Sequence, residues 1–167
     1  MERRSVETIA SALNQAGARF LVAGGVAVVA HGLVRFTADL DIILDPDPAA
    51  LRLAIRALSA LGYRPRAPVA FEEFADAARR RSWAAEKGLT VFSLFSAAHR
   101  ETEVDLFLEC PVDFEAAYAR AMRKELPNGP TLAFLSLADL LALKQQAGRP
   151  RDLDDIAGLN SLHPELG

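Results

Sequence analysis

The stretch Arg35-Phe36-Thr37-Ala38-Asp39-Leu40-Asp41-Ile42-Ile43-Leu44 decides how this chain is read. From Asp39 to Leu44 it has the two-residue period of a β-strand: Asp39, Asp41 and Ile43 face one way, Leu40, Ile42 and Leu44 the other. The aliphatic company marks the strand as largely buried. Two carboxylates at i and i+2 then share one face, about 7 Å apart between Cα atoms. Like charges held in a partly desolvated place repel, and one of them tends to stay protonated. A divalent cation removes that penalty. Hard oxygen ligands suit Mg²⁺, which takes one or two carboxylates and completes its shell with water and phosphate.

A second strand, predicted over Thr102–Cys110, alternates as cleanly: Glu103, Asp105, Phe107 and Glu109 against Val104, Leu106 and Leu108. If it lies beside the first, Asp105 joins Asp39 and Asp41 at one edge. Three carboxylates are enough to hold two metal ions, one on an attacking oxygen and one on a triphosphate. Glu103 shares the face of Asp105 and is placed to support a ligand.

Upstream, Phe20–Ala23 reads as a short buried strand, Gly24-Gly25 as a turn, and Val26–Leu33 as an apolar helix. A glycine turn between strand and helix lets a phosphate approach the backbone and meet free N–H groups. Taken alone, a glycine pair at a strand end is more often just a tight turn; the acids downstream give it weight. Arg35 and Thr37, just ahead of the acidic strand, are candidates to touch the same substrate, with an ordinary strand-edge residue as the alternative for Thr37. His31, inside an apolar helix, reads as a structural hydrogen-bonding group. Asp45 and Asp47 belong to a turn and a helix cap and are set aside.

The rest of the chain alternates helix and strand, which is the pattern of an α/β or α+β layer architecture. Helices are predicted over Val6–Ala16, from Pro48 after the cap Asp47 to Gly62, over Phe71–Ala85 and over Asp113–Met122. Tyr63–Ala70 is irregular with room for a short strand, and Leu89–Phe95 and Thr131–Leu135 read as strands. Ser136-Leu137-Ala138-Asp139 has capping-box spacing, with Asp in place of Glu or Gln. It opens a helix to about Gln146, and a last helix covers Asp152–Leu159. Leu137, Leu140 and Leu141 form an apolar stripe that Lys144 continues, so Lys144 lies along a buried face and needs an anion there. A triphosphate is the functional partner. Asp152 or Asp155, or snorkelling to the stripe's edge, are the structural ones. Arg149 faces the same choice between phosphate and Asp152.

Composition bounds the reading. A chain of 167 residues with 51% hydrophobic and 25% charged residues is ordinary globular material, expected as one domain over 1–167 with a C-terminal helical segment at about 136–160. Its one cysteine, Cys110, can form neither an internal disulfide nor a cysteine-based zinc site. No apolar run approaches the roughly 20 residues of a membrane span, and no signal-peptide core follows the first residues. A cytoplasmic location is expected. The net charge of −3 argues against a broad cationic face for nucleic acid. The run Arg79-Arg80-Arg81 leaves room for a local nucleic-acid contact, with a solvated helix end as the favoured reading.

The chain resembles the nucleotidyltransferase superfamily of DNA polymerase beta type. The matching pieces are Val22-Ala23-Gly24-Gly25, Asp39-Leu40-Asp41 and Val104-Asp105-Leu106. Within it, Gly24-Gly25-Val26-Ala27-Val28, His31-Gly32 and Arg35-Phe36-Thr37-Ala38-Asp39-Leu40-Asp41 are similar to the bacterial branch of abortive-infection toxins. So is the tail Leu143-Lys144-Gln145-Gln146-Ala147-Gly148-Arg149-Pro150-Arg151-Asp152-Leu153-Asp154-Asp155-Ile156. Many members carry Gly-Ser where this chain has Gly24-Gly25, which leaves backbone donors alone to meet phosphate.

The resemblance implies a mixed β-sheet flanked by helices and a nucleoside triphosphate, ATP among them, bound with Mg²⁺ or Mn²⁺. A nucleotidyl group passes to an acceptor hydroxyl. It implies Asp39, Asp41 and Asp105 as metal-holding and catalytic residues, and Gly24, Gly25, Arg35, Thr37 and Lys144 as the nucleotide and phosphate contacts. The acceptor is open between RNA such as a tRNA end, a small hydroxyl compound of the antibiotic type, and a protein side chain. An antitoxin protein is an expected partner. The alternative is a catalytically silent nucleotide- or partner-binding module of the same fold.

Overall fold

The acidic strand β2 (Asp39–Leu44) lies at the centre of the sheet, with β1 (Phe20–Val22) antiparallel on one side and β5 (Glu103–Phe107) parallel on the other. The structure, a computed structural model, describes residues 2–126 and 129–164. In chain order the helices are α1 (Arg3–Gln15), α2 (Gly24–Ala30), α3 (Pro48–Ala60), α4 (Ala77–Lys87), α5 (Phe114–Ala119), α6 (Leu137–Ala147) and α7 (Pro150–Leu162). The remaining strands are β3 (Arg64–Pro65), β4 (Val91–Phe95), β6 (Met122–Glu125) and β7 (Thr131–Phe134). They form one mixed seven-stranded sheet in the order β3-β4-β5-β2-β1-β7-β6, flanked by the helices. This is the mixed α/β architecture that the alternating pattern predicts.

The aliphatic halves of the strands make the core. Leu40 and Ile42 of β2, Val104 and Leu106 of β5 and Leu94 of β4 are buried, and they join Ile9 and Leu13 of α1 and Leu51, Ile55 and Leu58 of α3 in one cluster. Asp47 caps α3 by accepting from the N–H groups of Ala49 (2.8 Å) and Ala50 (3.0 Å), with Pro48 at the first helical position. Ser136 caps α6 as expected. Asp139 does not complete a reciprocal capping box: its carboxylate takes the Ser136 hydroxyl at 2.6 Å and pairs with Arg120.

Several elements differ from their sequence readings. The helix predicted over Phe71–Ala85 is divided: a 3₁₀ turn spans Phe71–Ala75, and α4 starts afresh at Ala77. The cause is Asp76, whose carboxylate accepts from the Ala78 N–H at 2.7 Å and so begins a new helix. The helix predicted to Met122 stops at Ala119, and Met122 opens β6, an edge strand whose Arg123, Lys124 and Glu125 are exposed and carry no alternation. The apolar helix starts at Gly24 and ends at Ala30, ahead of a turn at His31 and Gly32, and α7 begins at Pro150.

Arg80 is not part of a solvated end. Its guanidinium reaches back to the carbonyls of Leu108 (2.9 Å) and Phe74 (2.6 Å) over the Phe74 ring, and burial lowers its pKa.

Leu106 is fully buried at the middle of the sheet. Leu106→Ala is expected to cost about 2–5 kcal/mol of stability, read by urea denaturation.

Candidate active site

The parallel pairing of β2 with β5 sets Asp39 opposite Glu103 and Asp41 opposite Asp105. Cross-strand partners present their side chains to the same face, on strands about 4.8 Å apart. Ser93 of β4 is the partner of Asp105 on the far side and hydrogen-bonds its carboxylate. One sheet face therefore carries Asp39, Asp41, Glu103 and Asp105 together. Burial, then the charges of Asp105 and Asp39, push the Asp41 carboxyl from its ordinary 3.8 up to about 6, against the opposing N–H of Gly25. Asp105 is also raised, first by burial.

Asp45, at the end of the same strand, shows what a compensated acid looks like. It is buried, yet Arg19 donates to it at 2.8 Å and the Asp47 N–H at 3.0 Å. Asp41 faces other carboxylates instead. Among the described residues no three metal-binding side chains close around one point. The acids line a face rather than a finished cage.

The glycine pair is required by this face. Gly24 has φ +56°, and a Cβ there would lie 1.8 Å from Asp41 Oδ2. A Cβ on Gly25 would lie 2.4 Å from Thr37 Oγ1 and 2.9 Å from Arg35 Nη2. The space that a serine would fill at position 25 is taken by Thr37 and Arg35, which accounts for the glycine.

Arg35 is held by α7, which runs along residues 31–36 in the opposite direction, and the Thr37 hydroxyl donates to the Asp39 carbonyl at 3.4 Å. Gly158 lets Leu33 come so near that a Cβ would stand 2.7 Å from Leu33 Cδ2. Asp155 accepts from Arg35 Nη2 at 3.0 Å, and Arg151 donates to the Phe36 carbonyl. His163 bonds the His31 carbonyl at 2.8 Å. Arg35 and Thr37 turn inward as a result, while Val34 and Phe36 stand out in solvent, 92% and 77% exposed. His31 bonds the Leu135 carbonyl at 2.9 Å, in keeping with its structural reading.

Lys144 is buried and has both carboxylates weighed for it: Nζ donates to Asp155 at 2.6 Å and to Asp152 at 3.1 Å. Arg149 donates to Asp152 at 2.7 Å. Burial works against the Asp152 charge, but the bonds from Arg149 and Lys144 prevail and hold its pKa low. Arg35 Nε lies 2.8 Å from Asp155 Oδ1, out of line for a hydrogen bond, and has no other partner. Three cations thus share two carboxylates. The surplus positive charge acts on Asp41, since Lys144 pulls its pKa down and Asp41 in turn raises that of Arg149.

Residues 9–166 match the family model described as nucleotidyl transferase AbiEii toxin, type IV TA system. The chain belongs to the AbiEii family. It is a nucleotidyltransferase of the abortive-infection toxin type. Two solved structures share its fold. One is a solution structure of the antibiotic-resistance factor ANT(2'')-Ia, 13% identical, with TM-score 0.57 over 97% of this chain and 82% of that one. The other is a crystal structure of ANT(2'')-Ia with adenylyl-2''-tobramycin, 12% identical, with TM-score 0.59 over 98% of this chain and 88% of that one. At such identity the likeness is one of fold. No curated protein matches the chain.

In this AbiEii chain the sheet brings Asp39, Asp41 and Asp105 to one face, with Gly24 and Gly25 against Asp41 and with Thr37 and Arg35 against Gly25. Lys144 lies in the ion cluster behind them. Sequence reasoning passed over Ser93, whose link to Asp105 depends on register, and Arg66, which bonds Glu103. Alternation in Leu89–Phe95 is the one signal that could have placed Ser93 on the acid face.

Two substitutions test this geometry. Gly25→Ser is expected to displace Thr37 and Arg35 and to lower nucleotidyl transfer at least tenfold, measured with labelled triphosphate. Lys144→Met leaves two buried carboxylates short of a cation and is expected to cost about 3–5 kcal/mol in thermal or urea unfolding.

Proposed function

We propose that the chain transfers a nucleoside monophosphate from a nucleoside triphosphate, ATP among them, to an acceptor hydroxyl in a Mg²⁺-dependent reaction, Mn²⁺ being the alternative ion. One observation carries this reading: Asp41 and Asp105 are cross-strand partners on one face, with Asp39 beside them and charges that repel rather than compensate. Hard carboxylate oxygens in that arrangement fit a divalent cation. Asp39 and Asp41 would hold it, with Asp105 on the acceptor side. When bound, the ion supplies charge neutralisation on the phosphoryl oxygens.

The chain's own groups do the rest. Gly24 and Gly25, set against the Asp41 carboxylate and bordered by Thr37 and Arg35, are the phosphate contacts of this reading. Arg35, Lys144 and Arg149 bring surplus positive charge to the same side, which favours a triphosphate. Asp105, with its raised pKa, receives the acceptor's proton on its carboxylate. The acceptor oxygen then forms its bond to the α-phosphorus as the bond to the β-phosphate oxygen breaks, and pyrophosphate leaves. Such chemistry depends on positioning and on offsetting developing charge.

An RNA end such as that of tRNA is the acceptor we favour, and an antitoxin protein is the expected partner, both on the strength of the toxin family. We place the enzyme in the cytoplasm and read it as one domain. Among the described residues no helix is long and apolar enough to cross a membrane.

Labelled-triphosphate transfer is expected with the unaltered chain and is expected to fall at least a hundredfold with Asp39→Asn or Asp41→Asn. Equal transfer by all three would remove the proposal. The raised pKa of Asp41 gives a second test. Folding takes up a proton between pH 3.8 and about 6, so without divalent cation stability falls as pH rises through that window. The loss is about 2 kcal/mol after allowing for Asp41's partial exposure. Asp41→Asn is expected to abolish it. Mg²⁺ is expected to raise the melting temperature of the unaltered chain more at pH 8 than at pH 5.

A further inference from the structure

Asp105 has a cross-strand partner on each side: Asp41 on β2 and Ser93 on β4. Alternation on β4 sends Phe92 and Leu94 into the core and leaves Ser93 half-buried on the acid face. Two backbone bonds fix the kind of pair that Ser93 and Asp105 make. The Leu108 N–H donates to the Thr90 carbonyl at 3.1 Å, so in this antiparallel register the bonded pairs fall on the even positions of β4. The Ser93 carbonyl accepts from the Arg66 N–H at 3.0 Å on the other edge. Ser93 and Asp105 are therefore a non-hydrogen-bonded pair, the closer of the two kinds, with Cα atoms about 4.5 Å apart. At that separation the Ser93 hydroxyl bonds the Asp105 carboxylate.

An aspartate carboxylate turns easily about its terminal bond, whose torsion is broad. Strand register alone places Asp105 but does not orient its oxygens. A hydroxyl has one proton to donate and so takes one of the two. We infer that Ser93 is a positioning residue: its hydroxyl holds one oxygen of the Asp105 carboxylate and leaves the other for the acceptor hydroxyl. The donor is neutral, so the carboxylate is oriented without being neutralised, unlike Asp45, which Arg19 meets directly. Arg66 gives its Nε and Nη2 to Glu103 and reaches Asp105 through its field alone. In the transfer step the acceptor's proton passes to the free oxygen of Asp105. The acceptor oxygen bonds the α-phosphorus as the bond to the β-phosphate oxygen breaks, and Ser93 keeps its own proton throughout. The inference rests on the transfer reaction proposed above. One readout is taken without metal or substrate, so that the two can fail separately.

Ser93→Thr and Ser93→Val form a matched pair, both branched at Cβ, suited to a strand and alike in shape, and differing in the hydroxyl. Transfer is measured with the full chain, labelled ATP and unfractionated tRNA in Mg²⁺ buffer. Ser93→Thr is expected to keep kcat within about threefold. Ser93→Val is expected to lower kcat about tenfold and to leave the KM for ATP within about twofold, because the lost bond acts on the reacting geometry and not on triphosphate binding. The second readout is carbon NMR of the metal-free chain, labelled at its aspartate carboxyls, at pH 8. The Asp105 signal is identified by its loss in Asp105→Asn. It is expected to move in Ser93→Val and to stay in Ser93→Thr. An Asp105 signal unmoved in Ser93→Val, or equal kcat in the two variants, would overturn the inference. A signal that moves in a chain that transfers nothing would uphold the hold of Ser93 on Asp105 and count against the reaction.

Discussion

The parallel register of β2 on β5 is the constraint on which the site depends. It places Asp41 opposite Asp105 on one face while Leu40, Ile42, Val104 and Leu106 are sealed into the core on the other. A slip of one residue would turn the carboxylates into the core and the aliphatic side chains out to water. The apolar halves thus hold the acids in place against their mutual repulsion. That repulsion remains in the folded chain as the raised pKa of Asp41. Stability of the fold and the gathering of the acids on one face are two consequences of one alignment.

The C-terminal helices supply the opposite charge. Lys144 of α6 and Arg35 of the extended segment meet on Asp155 of α7, and Arg149 and Lys144 meet on Asp152. Burying Lys144, Asp152 and Asp155 costs desolvation, which pairing with one another and with Arg35 and Arg149 only partly offsets. In exchange, the segment from Gly32 to Phe36 is fixed to α7, and Thr37 is set against Gly25. Two carboxylates against three cations leave a net positive cluster beside a net negative face. Such an arrangement gives the site a polarity, positive on the flank of α6 and α7 and negative along β2 and β5, which the proposed transfer from a triphosphate would use.

Much of this was legible in the sequence because it rests on local periodicity. The acid–apolar alternation of Asp39–Leu44 and of the Glu103–Phe107 strand fixes which side chains share a face. The glycine pair also stands out, and the reason for it, the approach of Asp41 and Thr37, became visible only in three dimensions. The stripe of Leu137, Leu140 and Leu141 placed Lys144 on a buried face. Which anion it meets is a matter of how α7 folds back, and no periodicity encodes that. Edge strand β6 escaped because exposed Arg123, Lys124 and Glu125 have no buried face to alternate with. The division at Asp76 was readable, since an aspartate two residues ahead of Ala78 is a sound cap, but the apolar spacing of Phe71 and Phe74 masked it.

Asp45 and Asp41 show how one strand separates a structural acid from a candidate functional one. Both are largely withdrawn from water. Asp45 is matched by Arg19 and by the Asp47 N–H, so its charge is satisfied within the chain. Asp41 has a single backbone N–H, from Gly25, against two neighbouring carboxylates. Natural folds seldom leave a buried charge so poorly matched without a ligand to match it. The chain provides an arginine where the charge is structural and withholds one where the charge faces Asp105 and Asp39. Lys144, whose charge lowers the Asp41 pKa, gives its hydrogen bonds to Asp152 and Asp155. Those two carboxylates hold Lys144 in the ion cluster, so Asp41 is left with the Gly25 N–H and with the field of a cation bonded elsewhere.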